Sequence, residues 1–215
     1  QAEDGIRDVA GCLVGSEMCI RDRGNSHLFW GMDPTDFVDE IEEFMTGYRE
    51  AARPERVLAT VLFTDIVEST GHAAERGDRE WRSMLERHNQ LTRHELRRWR
   101  GVERVHTGDG ILATFDGPAR AVRAARAIGD EVAKLGIHIR AGVHTGEIEK
   151  VGDNVAGLAV HMGARVASLA GPDQVLVSRT VKDLVVGSNL EFKEHGTHQL
   201  RGVPGDWEIY EVIAS

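Results

Sequence analysis

The chain has 215 residues, of which 41% are hydrophobic and 28% charged, an ordinary composition for a globular protein with a packed core. Its formal net charge of −9 argues against nucleic acid or an anionic membrane surface as the main partner. No stretch approaches the ~20 consecutive apolar residues of a membrane-spanning helix, so we expect no membrane partner.

The first 23 residues show no sustained helical or strand period and lack the long apolar core of a signal peptide. Their last part, "EMCIRDR", resembles a translated sequencing-adapter end at a chimeric join in assembled environmental DNA. We therefore expect residues 1–23 to be non-native, or else a disordered native tail. Both cysteines, Cys12 and Cys19, fall here, so the rest of the chain has no disulfide or thiolate chemistry, which suits a cytoplasmic location.

Residues 24–53 contain one predicted amphipathic helix, for which Asp33 or Thr35 is a possible N-cap, and a linker. The stretch "HLFWGMDPTDFVDEIEEFMTG" resembles the C-terminal end of an α/β-hydrolase, in which His27 would stand at the position of the triad histidine. No nucleophile elbow accompanies this histidine. We therefore expect a structural remnant without a catalytic role.

The main domain is predicted to span residues 54–215, and it opens with a strand that is apolar on both faces, "RVLATVLFTDI". The later predicted elements are a helix from Arg79 that Gly101 ends, strands at 102–106 and 111–115 joined by "TGDG", a helix from Pro118, a strand at 137–146, a helix from Val155 to Leu169, and strands at 174–178, 190–200 and 206–212. This β-α-β-β-α-β order with appended elements predicts an α+β fold with a ferredoxin-like core.

Two aspartates of this predicted core stand out. Asp65 ends the first strand, and Asp109 lies in the "TGDG" turn, which the ferredoxin-like topology brings to the same edge of the sheet. With the carbonyl of Ile66 they would form an oxygen-rich site suited to Mg²⁺ and a phosphate-bearing substrate. Two such ions could activate a hydroxyl and stabilise a leaving group. The alternative is that Asp65 caps the next turn and Asp109 simply fills a tight turn.

Four stretches carry a resemblance to a known family: "LFTDIVEST", "HTGDGILATF", "AGVHTGE" and "AVHMGARVASLAGPDQVLVS". Together, and in this order, they resemble the class III adenylate/guanylate cyclase catalytic domain. The resemblance implies that Asp65, Asp109 and the carbonyl of Ile66 bind two divalent metal ions, Mg²⁺ or Mn²⁺. It also implies that backbone groups around Phe63 and Thr64 cradle a triphosphate.

The resemblance further implies a head-to-tail homodimer. Each active site would take its metal aspartates from one subunit and the remaining groups from the other. The 3′-hydroxyl of a nucleoside triphosphate, with ATP preferred over GTP, would attack the α-phosphate of the same molecule. The products would be pyrophosphate and a 3′,5′-cyclic nucleotide.

The base-reading positions depart from the family pattern. Val105 and Asn154 stand where robust adenylate cyclases have a lysine and an aspartate that read the adenine edge. Val105 donates no hydrogen bond, so half of the base reader is missing, and an unpaired base edge costs about 1–3 kcal/mol in a closed site. Alternatively, Val105 is apolar only because it belongs to a strand.

The groups expected to contact the ribose and the phosphates are partly retained. Arg165 matches the family's arginine and can neutralise charge on the α-phosphate. One helical turn before it, His161 replaces the ribose-orienting asparagine and either donates one hydrogen bond or is structural. Arg201 stands where the family commonly has a phosphate-binding lysine, or it is a solvated surface arginine. We expect no metal at His144, since no second histidine or cysteine lies at zinc-site spacing.

Two hypotheses about function follow. The first is an active cyclase that makes cyclic AMP, which the pair Asp65 and Asp109 favours. The second is a catalytically weak or inactive cyclase-fold module that binds nucleotide or mediates dimerisation, which the losses at Val105 and His161 favour. We favour the first, because a dead site has no need for two costly carboxylates.

Overall fold

The computed structural model describes residues 55–214 together with Met45, which is helical and exposed. The predicted tail at residues 1–23 lies outside the described residues, as does the predicted helix and hydrolase-like stretch within 24–53 apart from Met45. The domain limits therefore stay predictions. Among the described residues, no helix combines the length and the apolar character that crossing a membrane requires.

The described residues form a mixed sheet with helices packed on it. Its strands are β1 (Glu55–Ile66), β2 (Val102–His106), β3 (Gly110–Phe115), β4 (Ile139–Val151), β5 (Asn154–Ala156), β6 (Val175–Ser178), β7 (Glu191–Gln199) and β8 (Asp206–Ala214). Its helices are α1 (Ser69–Arg76), α2 (Asp78–Arg98), α3 (Pro118–Ala133), α4 (Leu158–Leu169) and α5 (Arg179–Leu184).

The strand order is β2-β3-β1-β4-β6-β8-β7, and β5 pairs with the far end of β4. Strands β4 and β6 run parallel, and the other pairs are antiparallel. The first four strands in their order β2-β3-β1-β4, with α2 and α3 as connections, are the ferredoxin-like core. The predicted α+β class is therefore confirmed.

Strand β1 is buried along its second half because helices cover both of its faces. On one face Leu62 and Ile66 join the core beneath α2 and α3. On the other, Val61 and Phe63 pack with Ala159 of α4. We call these the α3 face and the α4 face of the sheet. Residues two apart share a face, so the continuous apolar run is what a doubly covered strand requires.

Helix α4 packs unusually close to the sheet because glycines lie at the contact. A Cβ added at Gly142 of β4 would overlap the backbone of Ala167. One added at Gly163 of α4 would lie 2.6 Å from Cγ2 of Val61. These glycines let α4, which carries His161 and Arg165, lie close against the sheet that contains Asp65.

The sequence-based expectations were wrong in detail at two places. The third long helix begins at Leu158, whereas we predicted a helix from Val155; residues 154–156 instead form β5. The chain turns at Gly152, whose φ of 59° is left-handed, and returns along β4 as a hairpin. The short helices α1 and α5 were not predicted, since each is too short to show a clear helical period.

Candidate active site

The end of β1 and the β2–β3 hairpin lie side by side. Asp65 is paired with Gly110 in the antiparallel register, and the N–H of Ile66 donates to the carbonyl of Asp109 at 3.2 Å. A Cβ at Gly110 would lie 2.8 Å from the carbonyl oxygen of Thr64 and 3.5 Å from Oδ1 of Asp65. Glycine therefore permits this approach, and the two aspartates share one edge of the sheet.

Asp65 is held by an arginine that sequence reasoning missed. Arg140 lies directly opposite Asp65 in the β1–β4 register, and its Nε and Nη2 donate to Oδ2 at 3.0 and 2.5 Å. The two side chains are 35% and 39% exposed, so the pair faces solvent in part. Asp65 therefore does not sit alone in the core, and within residues 55–214 its carboxylate accepts no hydrogen bond from the turn that follows. The available signal was the position of Arg140, a charge among the apolar residues at the start of β4.

Asp109 is tied to the start of α1. The hydroxyl of Ser69 donates to Oδ2 of Asp109 at 2.5 Å. The turn itself is closed by Thr107, whose N–H and hydroxyl both donate to the carbonyl of Gly110, at 2.9 and 3.1 Å. Asp109 thus does fill a tight turn, as the alternative supposed, but its carboxylate is also held in place from a second element.

A cavity of about 400 Å³ opens between β1, the β2–β3 hairpin and α4. Five of the predicted site residues line it: Phe63, Thr64, Asp65, Val105 and His161. Arg140 lines it as well, whereas much of the remaining wall is aliphatic, from β3 and α4. The cavity therefore has one charged end, at Asp65 and Arg140, and an apolar body beside Val105.

The other predicted residues do not line this cavity. The side chain of Ile66 is buried in the core, Asp109 is half-buried in the turn between β2 and β3, and Asn154 is exposed on β5. Arg165 is exposed on α4. Arg201 lines a separate open cavity of about 610 Å³ in the β7–β8 loop. A single chain therefore brings together only part of the predicted site.

The carboxylates at this edge suit a hard divalent cation. Arg140 and Ser69 each engage one oxygen, Oδ2 of Asp65 and Oδ2 of Asp109, and in the part of the chain that the structure describes the two Oδ1 atoms accept no hydrogen bond. An all-oxygen donor set is what Mg²⁺ and Mn²⁺ prefer. No cluster of three or more His, Cys, Asp or Glu suited to a metal occurs among the described residues, so substrate or backbone oxygens would have to complete the shell.

His144 has a structural environment. Its ring is buried, and Nδ1 lies 2.7 Å from the hydroxyl of Ser178. Burial lowers the pKa of His144 to about 4, so the ring is neutral near pH 7. Trp207 packs edge-on against it. The ring does not line the cavity that contains Asp65.

Comparison with known proteins finds a family model that matches most of the chain. The model of the adenylate and guanylate cyclase catalytic domain matches residues 52–214. An uncharacterized protein of Mycobacterium tuberculosis is 27% identical over 150 residues, which are 67% of this chain and 52% of that protein. The chain thus spans about half the length of the curated relatives it matches.

Solved structures share the fold. The adenylyl cyclase CyaB from P. aeruginosa superposes with a TM-score of 0.71 at 19% identity, covering 76% of this chain and 97% of that one. The guanylate cyclase domain of RhGC from Catenaria anguillulae, solved in complex with GTP, gives 0.68 at 20% identity, covering 74% and 98%. Because both kinds of cyclase match equally well, the fold does not distinguish between ATP and GTP.

Proposed function

The chain belongs to the adenylate and guanylate cyclase catalytic domain family, and we propose that it converts ATP to 3′,5′-cyclic AMP and pyrophosphate with two divalent metal ions. The observation that carries this proposal is the apposition of Asp65 and Asp109 across β1 and the hairpin, beside a cavity with a charged end. We retain the predicted cytoplasmic location as part of the proposal.

Asp65 and Asp109, with the carbonyl of Ile66, would hold the ions, Mg²⁺ or Mn²⁺. Bound ions would favour ionisation of the 3′-hydroxyl and offset charge on the leaving pyrophosphate. Arg140 would then donate to a triphosphate oxygen, because its guanidinium already lies in the cavity beside Asp65 and suits bidentate contacts with phosphate. Backbone groups around Phe63 and Thr64 would cradle the same phosphates.

We propose that the active protein is a head-to-tail homodimer. Arg165 is exposed on α4 and does not line the cavity, so a second copy would supply it to charge on the α-phosphate. Arg201 would reach the phosphates in the same way. Exposed apolar side chains on β2 and α4, such as Val105 and Leu158, support an interface on this side of the sheet.

Base selection is expected to be weak in this dimer. Val105 lines the cavity and is 38% exposed, but it offers no hydrogen bond to a base. Asn154 would contribute one amide, and His161 one ring nitrogen toward the ribose. ATP preference therefore rests on the resemblance, and we expect the ratio of ATP to GTP turnover to be modest.

A second candidate function is a catalytically weak or inactive module that binds nucleotide or mediates dimerisation. The ion pair between Arg140 and Asp65 favours it, since one of the two carboxylates is already neutralised. The replacements at Val105 and His161 favour it as well. Both candidates predict nucleotide binding, and they differ in whether product forms.

The experiment is cyclic-nucleotide production from ATP and, separately, GTP, with Mn²⁺ or Mg²⁺ and over a range of protein concentrations. Asp65→Ala tests the site, and Asp116→Ala, which removes an exposed carboxylate paired with Arg120, is the matched control. Product that is lost with Asp65→Ala and kept with Asp116→Ala supports the cyclase. No product at concentrations where the dimer forms and nucleotide binds would favour the second candidate.

A further inference from the structure

Three polar side chains next to the "TGDG" hairpin, on the α3 face of the sheet, each have one buried polar atom. They are His88 and Thr92 of α2 and His106 of β2, which we call the imidazole cluster. His88 and Thr92 are fully buried. His88 Nε2, Thr92 Oγ1 and His106 Nε2 are each buried without a hydrogen-bond partner among the described residues. Buried polar atoms are almost always paired in folded proteins, so three at one interface indicate a shared partner.

The positions of the strands and helices bring these atoms to the same interface. His106 is paired with Ile111, whose side chain belongs to the core on the α3 face, so the His106 ring lies on that face too. Helix α2 is fixed against β2 by Arg93, which donates to both carboxylate oxygens of Glu103 at 2.7 and 2.9 Å. The two cluster members on α2 are four residues apart and so share one helix face.

Hydrogen bonds at the outer nitrogens decide which tautomer each ring adopts. His106 Nδ1 accepts from the N–H of Gly108 at 2.8 Å, so the proton of the neutral ring is on Nε2. His88 Nδ1 lies 3.0 Å from Oδ1 of Asn89, an oxygen that only accepts, so Nδ1 carries the proton. The buried nitrogens therefore differ: His106 Nε2 is a donor and His88 Nε2 is an acceptor.

The charge environment keeps His88 neutral. Burial is the main cause that lowers the pKa of His88, and smaller effects from Asn89 and Asp109 raise it while His106 lowers it. Those contributions also show that His106 and Asp109 lie within electrostatic range of the His88 ring. A neutral ring with its proton on Nδ1 has an unprotonated Nε2, which requires a hydrogen-bond donor.

We propose that one buried water joins His88 Nε2, His106 Nε2 and Thr92 Oγ1, and that through it His88 is a positioning residue for the hairpin that carries Asp109. The water accepts from His106, donates to His88 and bonds the hydroxyl of Thr92. Three hydrogen bonds are the usual number for a buried water. The role in activity rests on the proposed function, in which Asp109 holds a metal ion.

The bridge acts on the turn through one backbone amide. With its Nε2 held by the water, the His106 ring keeps its Nδ1 directed at the N–H of Gly108, the residue immediately before Asp109. Gly108 has a φ of 96°, a conformation that glycine adopts without strain and that the turn requires. Helix α2 would thus fix the orientation of Asp109 without touching substrate or metal. Residues that hold a metal ligand in place without touching the metal typically change the metal affinity strongly when they are replaced.

The first test uses the unchanged protein and needs no activity. Long-range ¹H–¹⁵N spectra of the imidazole rings, assigned with single histidine variants, are expected to show His106 protonated on Nε2 and His88 protonated on Nδ1. Both ring protons should exchange slowly with solvent. The opposite tautomer on either ring, or fast exchange at His106 Nε2, would overturn the bridge.

The second test is a matched pair of variants. His88→Gln places a carbonyl oxygen where it can accept from the water, whereas His88→Leu removes the acceptor at similar volume. We expect Leu to speed hydrogen exchange at the Gly108 amide and to raise the half-saturating Mn²⁺ concentration about tenfold or more, and Gln to restore most of both. Equal behaviour of the two variants would overturn the positioning role.

The two proposals fail separately. If the unchanged protein makes no cyclic nucleotide, the proposed function fails, but ring tautomers and Gly108 exchange still decide whether the bridge exists. If the protein is an active cyclase and the tautomers are reversed, this inference alone fails. Should His88→Leu not fold, the spectra of the unchanged protein still decide the matter.

Discussion

The two ends of the cavity differ in how firmly contacts hold their side chains in place. At the charged end, where we propose that phosphate binds and which we call the phosphate end, Arg140 holds Asp65. Beside it, at the same edge of the sheet, Ser69 holds Asp109, and Gly110 lets the strands approach. At the apolar end, which we call the base end because we propose that the base binds there, Val105 lines the cavity without offering a hydrogen bond. The described contacts thus fix the groups that would act on phosphate and leave the base side open. The proposed cyclase would therefore keep its chemistry at phosphorus while it discriminates weakly between bases.

The largest effect should come from removing a carboxylate at the phosphate end. Asp109→Asn keeps the shape and the acceptor for Ser69 but loses the negative charge that a divalent cation requires. We expect cyclase activity to fall by more than about 100-fold, because replacing a metal ligand should cost more than replacing a residue that only supports one. Product formation at saturating Mn²⁺ measures it, with Asp116→Asn as the surface control. Activity retained within a few-fold would mean that the phosphate end is not where the metal binds.

A smaller loss of activity should follow from a substitution that disturbs the close approach of β1 and β3 at Gly110. In Gly110→Ala the new Cβ would meet the carbonyl oxygen of Thr64 at 2.8 Å, and backbone must shift to relieve it. We expect a loss of about 1–3 kcal/mol in the free energy of unfolding, measured by urea denaturation, and a parallel fall in activity.

The control for this change is Gly117→Ala. A Cβ there would meet nothing within 4 Å, and the backbone is extended with a φ of −159°. Because Gly117 is the N-cap of α3 and alanine caps less well than glycine, we expect a loss of about 0.5–1 kcal/mol in the free energy of unfolding and no change in activity. If both alanine variants are equally stable and active, the tight packing at Gly110 does not position the aspartates.

Arg140→Gln, at the phosphate end, should weaken substrate binding while it changes the stability of the fold little. The pair with Asp65 is more than a third exposed, so its loss should change the free energy of unfolding by less than about 1 kcal/mol. We expect the KM for the metal–ATP complex to rise about tenfold, because a charge-assisted hydrogen bond to phosphate is lost. Steady-state kinetics at fixed free Mn²⁺ measures this.

The same two strands provide the control. Arg56 of β1 pairs with Glu149 of β4 at 2.7 Å, in an ion pair of the same kind at the opposite end of the strands. Arg56→Gln should leave the KM unchanged. A KM that rises equally in both variants would show that general electrostatics, and not a local contact, governs binding.

Sequence alone could predict the parts of this site that depend on local pattern. The apolar run before Asp65 and the turn residues around Asp109 predicted a strand and a hairpin, and the fold order then predicted that they meet. Arg140 was missed because its role depends on the β1–β4 register, which no local period reveals. Val155 was assigned to a helix because its apolar spacing continues into α4, although Gly152 turns the chain into a hairpin first.

The imidazole cluster was beyond sequence reasoning for a related reason. His88 lies on the apolar face of α2, where a histidine reads as an ordinary core residue, and His106 lies on a strand 18 residues later in the chain. Only the packing of α2 on β2 shows that both rings have a buried Nε2 without a hydrogen-bond partner among the described residues. The positions of Asn154, Arg165 and Arg201 relative to the substrate stay predictions, because in the proposed dimer they depend on a second copy of the chain.

The last prediction concerns the base end of the cavity, beside Val105. Val105→Lys adds a donor to the cavity wall at a position that is already 38% exposed, so the fold should tolerate it. A hydrogen bond that one base satisfies and the other leaves unpaired is worth about 1–3 kcal/mol, so the ratio of ATP to GTP turnover should rise about tenfold. The measurement is kcat/KM for each nucleotide with and without the substitution. Val102→Lys, on an exposed residue of the same strand, is the control and should leave the ratio unchanged. If Val105→Lys leaves it unchanged as well, the base does not bind beside β2, and the apolar end of the cavity serves another purpose, such as contact between subunits.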